Sequence, residues 1–165
     1  MLGLSFAAFT ALHVAISLAG IGAGLVALGA MLADRWLGGW TALFLACTFL
    51  TSASGYLFPA SAVTPAHVVG AVSIVALAVA AFALYARQLE GRWRTAYILA
   101  AVAALYLNSF VGLVQTFQKQ PALVELAPTQ TEASFLLAQV VVLSVFLWIG
   151  LLLLRRFPRS ALSRP

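Results

Sequence analysis

From Phe6 to Ala33 the chain carries no charge, and only Thr10, His13 and Ser17 interrupt its run of apolar and glycine residues. Four similar stretches follow, at Trp40–Phe58, Pro65–Ala86, Thr95–Phe117 and Ser134–Leu154. Each is long enough to cross about 30 Å of hydrocarbon as a helix. The connections Asp34–Gly39, Pro59–Thr64, Arg87–Arg94 and Gln118–Ala133 are short and hold most of the charge. The pattern predicts an all-α integral membrane bundle of five transmembrane helices, with residues 1–165 forming a single domain. The first stretch exceeds what a bilayer needs, which implies tilt or an interfacial start. It has no basic flank and no clear small-residue cleavage site, so it reads as a retained helix rather than a signal peptide. No internal repeat or linker breaks the series.

Composition places the chain in the same class. Hydrophobic residues make up 64% and charged residues 8%, and the mean hydropathy is +1.06. A soluble domain of this size cannot bury so much apolar surface. The bilayer is therefore the first expected partner. The sequence pI of about 10.2 reflects arginines at membrane edges and gives no reason to expect nucleic acid. Arg35, then Arg87, Arg92 and Arg94, then Arg155, Arg156, Arg159 and Arg164 all fall on one side of a five-span chain. Lys119 alone among the nine basic residues falls on the other. Basic residues concentrate on the cytoplasmic side, so the N-terminus is expected outside and the C-terminus in the cytoplasm. Trp36, Trp40 and Trp93 fit an aromatic belt at the inner face.

The polar residues can then be ordered by depth. At about 1.5 Å per residue, His13 and His67 both lie roughly 30 Å from the inner edge, on two helices that run in parallel. Ser52, Ser54, Tyr56, Asn108, Gln115, Lys119 and Gln139 share the outer half, while the inner half is almost wholly apolar. Ala101, Ala104, Asn108, Gly112, Gln115 and Lys119 recur at spacings of three and four, one helical face. This pattern predicts an outward-opening polar pocket with His13, His67, Tyr56, Asn108 and Gln115 in its lining. The competing reading is that the same groups only join helices by hydrogen bonds. Cys47, the single cysteine, excludes an internal disulfide and reads as a small buried hydrophobe.

Two motifs shape the expectations for the histidines. Thr64 is a candidate N-cap, Pro65 suits the first helical position, and His67 falls in the first turn. Gly70, one turn on, clears bulk beside it. His13, Ser17, Gly20 and Gly24 share a narrow face, which serves close helix packing or a cofactor cleft. Zinc normally takes three or four protein ligands, and no third nitrogen or thiolate lies at this depth. An iron porphyrin needs only two axial imidazoles, so His13 and His67 are the candidate metal ligands. The alternative is two independent interfacial histidines bonded to loop carbonyls.

The runs "ALHVAISLAGIGAGLVAL", "SASGYLFP", "TPAHVVGAVSIVALAVAAFALYAR" and "WRTAYILAAVAALYLNSF" resemble a group of small uncharacterised bacterial multi-pass membrane proteins. That group is in turn distantly similar to the b561-type membrane cytochromes. The resemblance implies the bacterial inner (plasma) membrane. It also implies haem b held by histidines on alternate helices, a role that maps onto His13 and His67. The b561 pattern has two such pairs and this chain has one. It would thus hold at most one haem, on the outer side, without a second haem for relay across the membrane.

All four carboxylates, Asp34, Glu90, Glu125 and Glu132, lie in connections or at helix ends. The middles of the spans carry no charge, unlike proton pumps and ion-coupled transporters. No phosphate-binding glycine loop or nucleophile elbow is present, which argues against hydrolase chemistry. The resulting expectation is a membrane-bound redox or electron-transfer protein with an outward haem or quinone pocket. The alternatives are a non-catalytic accessory subunit of a membrane complex, with a protein partner or a second copy, and a small-molecule- or lipid-binding protein.

Overall fold

A computed structural model of the chain describes residue 3 and residues 5–156. Arg159 and Arg164 lie outside the described residues. Within them the fold is all-helical. The helices are α1 (Phe6–Leu32), α2 (Gly38–Gly55), α3 (Pro65–Ala81), α4 (Arg92–Lys119), α5 (Pro121–Leu126) and α6 (Ala133–Arg156). Helix α3 runs on into a π-helical turn at Phe82–Ala86.

The starts of α1 and α3 follow from their caps. Ser5 Oγ accepts from the Ala8 N–H at 3.2 Å, and Thr64 caps α3 with Pro65 in its first turn. Helices α1, α3 with its π turn, α4 and α6 are long and apolar enough to cross a membrane. Helix α2 is not among them. It has 18 residues, and Thr41, Thr48, Thr51, Ser52 and Ser54 dilute its apolar content. Two features departed from the apolar pattern. The segment after α4 contains the short helix α5, and the turn before α4 is tight, with positive φ at Gln88, Leu89 and Gly91.

Helix α4 is the hub, packing against α1, α2, α3 and α6. Helix α2 packs on both α1 and α3, which share no extensive contact with each other. The main core lies toward the arginine-bearing end and includes Leu28, Met31, Phe44, Ile98, Leu105 and Leu153. Glycines let the helices approach. A Cβ on Gly20 would stand 3.1 Å from Thr48 Oγ1. One on Gly24 would stand 2.6 Å from Leu105 Cδ1 and 2.8 Å from Phe44 Cδ2. The small-residue face of α1 thus serves packing. Helix α6 buries one stripe, Phe135, Phe146, Gly150 and Leu153, and leaves broad apolar surface exposed. In a chain this apolar, such surface is compatible with lipid contact.

Candidate functional site

Three small polar clusters at the arginine-poor end hold the two histidines and Asn108, each resting on α2 or α4. The first joins α1 to α2. His13 Nδ1 lies 2.8 Å from Ser54 Oγ, and the Ser54 hydroxyl donates to the Thr51 carbonyl at 3.2 Å. A serine hydroxyl has one proton to give. Ser54 can give that proton to the Thr51 carbonyl or to His13 Nδ1, and only the first choice satisfies both contacts at once; it places a proton on His13 Nδ1. In the neutral ring the Nε2 lone pair is then left available. The imidazole meets Phe58 edge to face, with ring centroids 5.1 Å apart. Phe58 in turn packs against Phe9 at 5.0 Å and Phe6 at 6.0 Å. His13 is half-buried and Phe6 is exposed, so an aromatic wall flanks the imidazole at the edge of the bundle.

The second cluster lies about one turn deeper, between α1 and α4. Ser17 Oγ donates to Asn108 Oδ1 at 2.9 Å, and Asn108 Nδ2 donates back to the Ser17 carbonyl at 3.4 Å. Asn108 is buried. Each polar group has its partner within the bundle, which is what an apolar setting demands.

The third joins α2 to α3 and holds His67. The Thr64 hydroxyl accepts from the His67 N–H, and His67 Nδ1 accepts from the Thr64 N–H at 3.1 Å. The pair is a capping box in which histidine takes the place usually held by Glu or Gln. Since a backbone N–H can only donate, the ring proton of His67 sits on Nε2. The Tyr56 ring stacks on the imidazole at 5.2 Å, and its hydroxyl donates to the His67 carbonyl at 2.7 Å. Gly70 makes room for this ring: a Cβ there would meet Tyr56 Cε2 at 3.3 Å. Ser52 donates to Ser73 at 3.1 Å beside it.

The expected site residues therefore separate. His13 and Asn108 belong to the α1 side, each with its own partner, while His67 and Tyr56 hold each other on the α3 side. Gln115 is exposed, and its amide donates to Gln118 at 3.3 Å. It does not join the Asn108 pair, although the two share a helical face in sequence. A cavity of about 310 Å³ at this end lies against Phe117, Val124, Ala127 and Gln130, which are not among the expected site residues. Thr51 and Phe58 were missed as site residues. Thr51 stands three residues before Ser54, the spacing that lets one hydroxyl reach the other's carbonyl, and that spacing was the available signal.

A haem between two axial histidines needs an Nε2 lone pair from each. His13 meets that need and His67, bonded through Nδ1 to Thr64, does not. The space beside Gly70 is filled by Tyr56, and that beside Gly20 and Gly24 by Thr48, Phe44 and Leu105. The bis-histidine haem expected at His13 and His67 does not fit this arrangement. Among the described residues no group of three or more His, Cys, Asp or Glu gathers to hold a metal ion. No family model, curated protein or solved structure matches the chain.

Proposed function

We propose that the chain is a five-span membrane protein, N-terminus outside and C-terminus cytoplasmic, that binds the ring of a quinol or quinone at its outer face through His13. The arginine asymmetry supports the orientation. The length of α2, about 27 Å, and its packing along α1 support a fifth crossing. The observation that carries the binding reading is the Thr51–Ser54–His13 chain of hydrogen bonds. It orients the imidazole so that Nε2 serves as an acceptor beside the Phe58, Phe9 and Phe6 rings. A quinol offers what that corner lacks: a hydroxyl donor for Nε2 and a flat ring for the aromatic wall. The phenylalanines and the exposed apolar residues of α1 would hold the isoprenoid tail in the lipid. In a redox role the protein would present this ring to an electron-transfer partner.

The test is equilibrium binding of a short-chain ubiquinol analogue to the detergent-purified protein. Loss of one oriented hydrogen bond should weaken binding about tenfold in His13→Ala. His67→Ala should bind as the parent does. Equal affinity in the parent and His13→Ala would defeat the proposal. A Soret band in the purified protein that disappears in His13→Ala would replace quinol with a haem bound on one side.

A second reading, an accessory subunit that packs against a partner, draws on α6. Only 17% of its apolar window is buried, against 44% for α4. Cross-linking in native membranes through cysteines placed at Leu137 and Trp148 separates the two. Discrete heterologous adducts favour the partner, and their absence favours lipid.

A further inference from the structure

At the opposite end of the molecule a shallow, open groove runs along the surface of α4, lined by Arg92, Trp93, Thr95, Ala96 and Leu99. Arg92, Thr95, Ala96 and Leu99 stand at i, i+3, i+4 and i+7, so they form one stripe on the helix. Polarity falls along the stripe from a guanidinium through a hydroxyl to a methyl and an isobutyl group. The distance from Arg92 to Leu99 along the axis is about 10 Å. That gradient matches a phospholipid lying against the helix, phosphate at Arg92 and upper acyl chain at Ala96 and Leu99. Trp93 forms a further wall. Its ring carries the Arg87 guanidinium at 5.4 Å and meets Phe82 edge to face at 5.0 Å, which holds it beside the groove.

Charge decides which lipid fits. Arg35, Arg87, Arg92, Arg94, Arg155 and Arg156 gather at this end, against Asp34 and Glu90 as the acidic residues there. The excess is positive, and Arg92 and Arg87 are both exposed. Basic pockets beside membrane helices select anionic head groups. We infer that this groove is a binding site for an anionic phospholipid of the phosphatidylglycerol type. It is independent of the His13 site, which lies at the other end of the bundle.

Native mass spectrometry of delipidated protein, titrated with equimolar phosphatidylglycerol and phosphatidylcholine, tests the inference. Phosphatidylglycerol should be retained preferentially. Arg92→Gln should lower its retention about fivefold, the loss expected when one basic group leaves an anionic head group. Retention of phosphatidylcholine should stay the same, Arg92→Lys should restore most of the preference, and Arg156→Gln should keep it. Leu99→Trp, which fills the groove, should lower retention of both lipids. Arg92→Gln is an exposed change and keeps the fold, so it decides the matter even if Leu99→Trp does not fold. Equal retention of the two lipids by the parent, or unchanged preference in Arg92→Gln, would overturn the assignment. Displacement of the bound lipid by excess inorganic phosphate would also overturn it, in favour of a site for soluble anions.

Discussion

Replacing Gly24 with alanine tests the packing that holds the His13 side of the bundle in register. The added Cβ would stand 2.6 and 2.9 Å from the two methyl carbons of Leu105 and 2.8 Å from Phe44 Cδ2. Ordinary carbon contacts are about 3.5–4.0 Å, so the Leu105 and Phe44 side chains, or the helices that carry them, must give by roughly 1 Å. Phe44 and Leu105 are fully buried, so any such movement presses on packed neighbours. Overpacking of this kind costs about 1–3 kcal/mol. Better helix propensity returns up to about 1 kcal/mol. The net expectation is destabilisation of about 1–2 kcal/mol. Gly22 supplies the control, because a Cβ there meets nothing within 4 Å. Gly22→Ala should be neutral or slightly stabilising. Unfolding by sodium dodecyl sulfate from mixed micelles, followed by circular dichroism, measures both. Equal stability of the two variants would refute the close approach of α1 to α2 and α4.

The Ser17–Asn108 pair should behave as a membrane hydrogen bond of ordinary strength. Asn108→Leu is expected to cost about 0.5–1.5 kcal/mol in the same assay, and a gain in stability would show that the pair does not form. Glu132, just before α6, gives a pH-dependent expectation. Desolvation pushes its carboxyl up, but hydrogen bonds from the Thr129 N–H and hydroxyl and the Thr131 N–H outweigh this and hold it below the ordinary value of 4.5. A lowered carboxyl stabilises the folded state fully above that ordinary value and loses the contribution as pH falls through the lower folded value. Amide-exchange protection at Thr129 and Thr131 should therefore fall on acidification below 4.5. In Glu132→Gln it should be low throughout, and protection insensitive to both changes would remove the carboxylate from the cap.

Much of the fold was legible because apolar runs and helix caps are local. The Thr64–Pro65 start of α3 could be read from three residues, as could the small-residue face that brings α1 against α2. Azimuth was not legible. Whether His13 and His67 face each other depends on which helix stands between them, and α2 packs on both of theirs. Gln115 shows the same limit from the other side. It shares a face with Asn108 in sequence, yet its side chain is exposed and bonds Gln118 of its own helix. The role of His67 was missed for a chemical reason. The sequence shows position and cap, but not that the ring's Nδ1 accepts from the backbone N–H of the N-cap residue Thr64. The short helix α5 was lost because six residues carry too little periodicity to register.

The central claim is that the two imidazoles have opposite tautomers, with only His13 offering Nε2 as an acceptor. The chain has two histidines, so nitrogen-15 NMR of histidine-labelled protein in lipid, recorded where both rings are neutral, resolves each without ambiguity once His67→Ala assigns the signals. The structure predicts a protonated Nδ1 and bare Nε2 for His13, and the reverse for His67. Ser54→Ala should release His13 from its tautomer and leave His67 unchanged. A His13 ring protonated on Nε2 in the parent protein would contradict the account, because the acceptor on which quinol binding rests would then be absent.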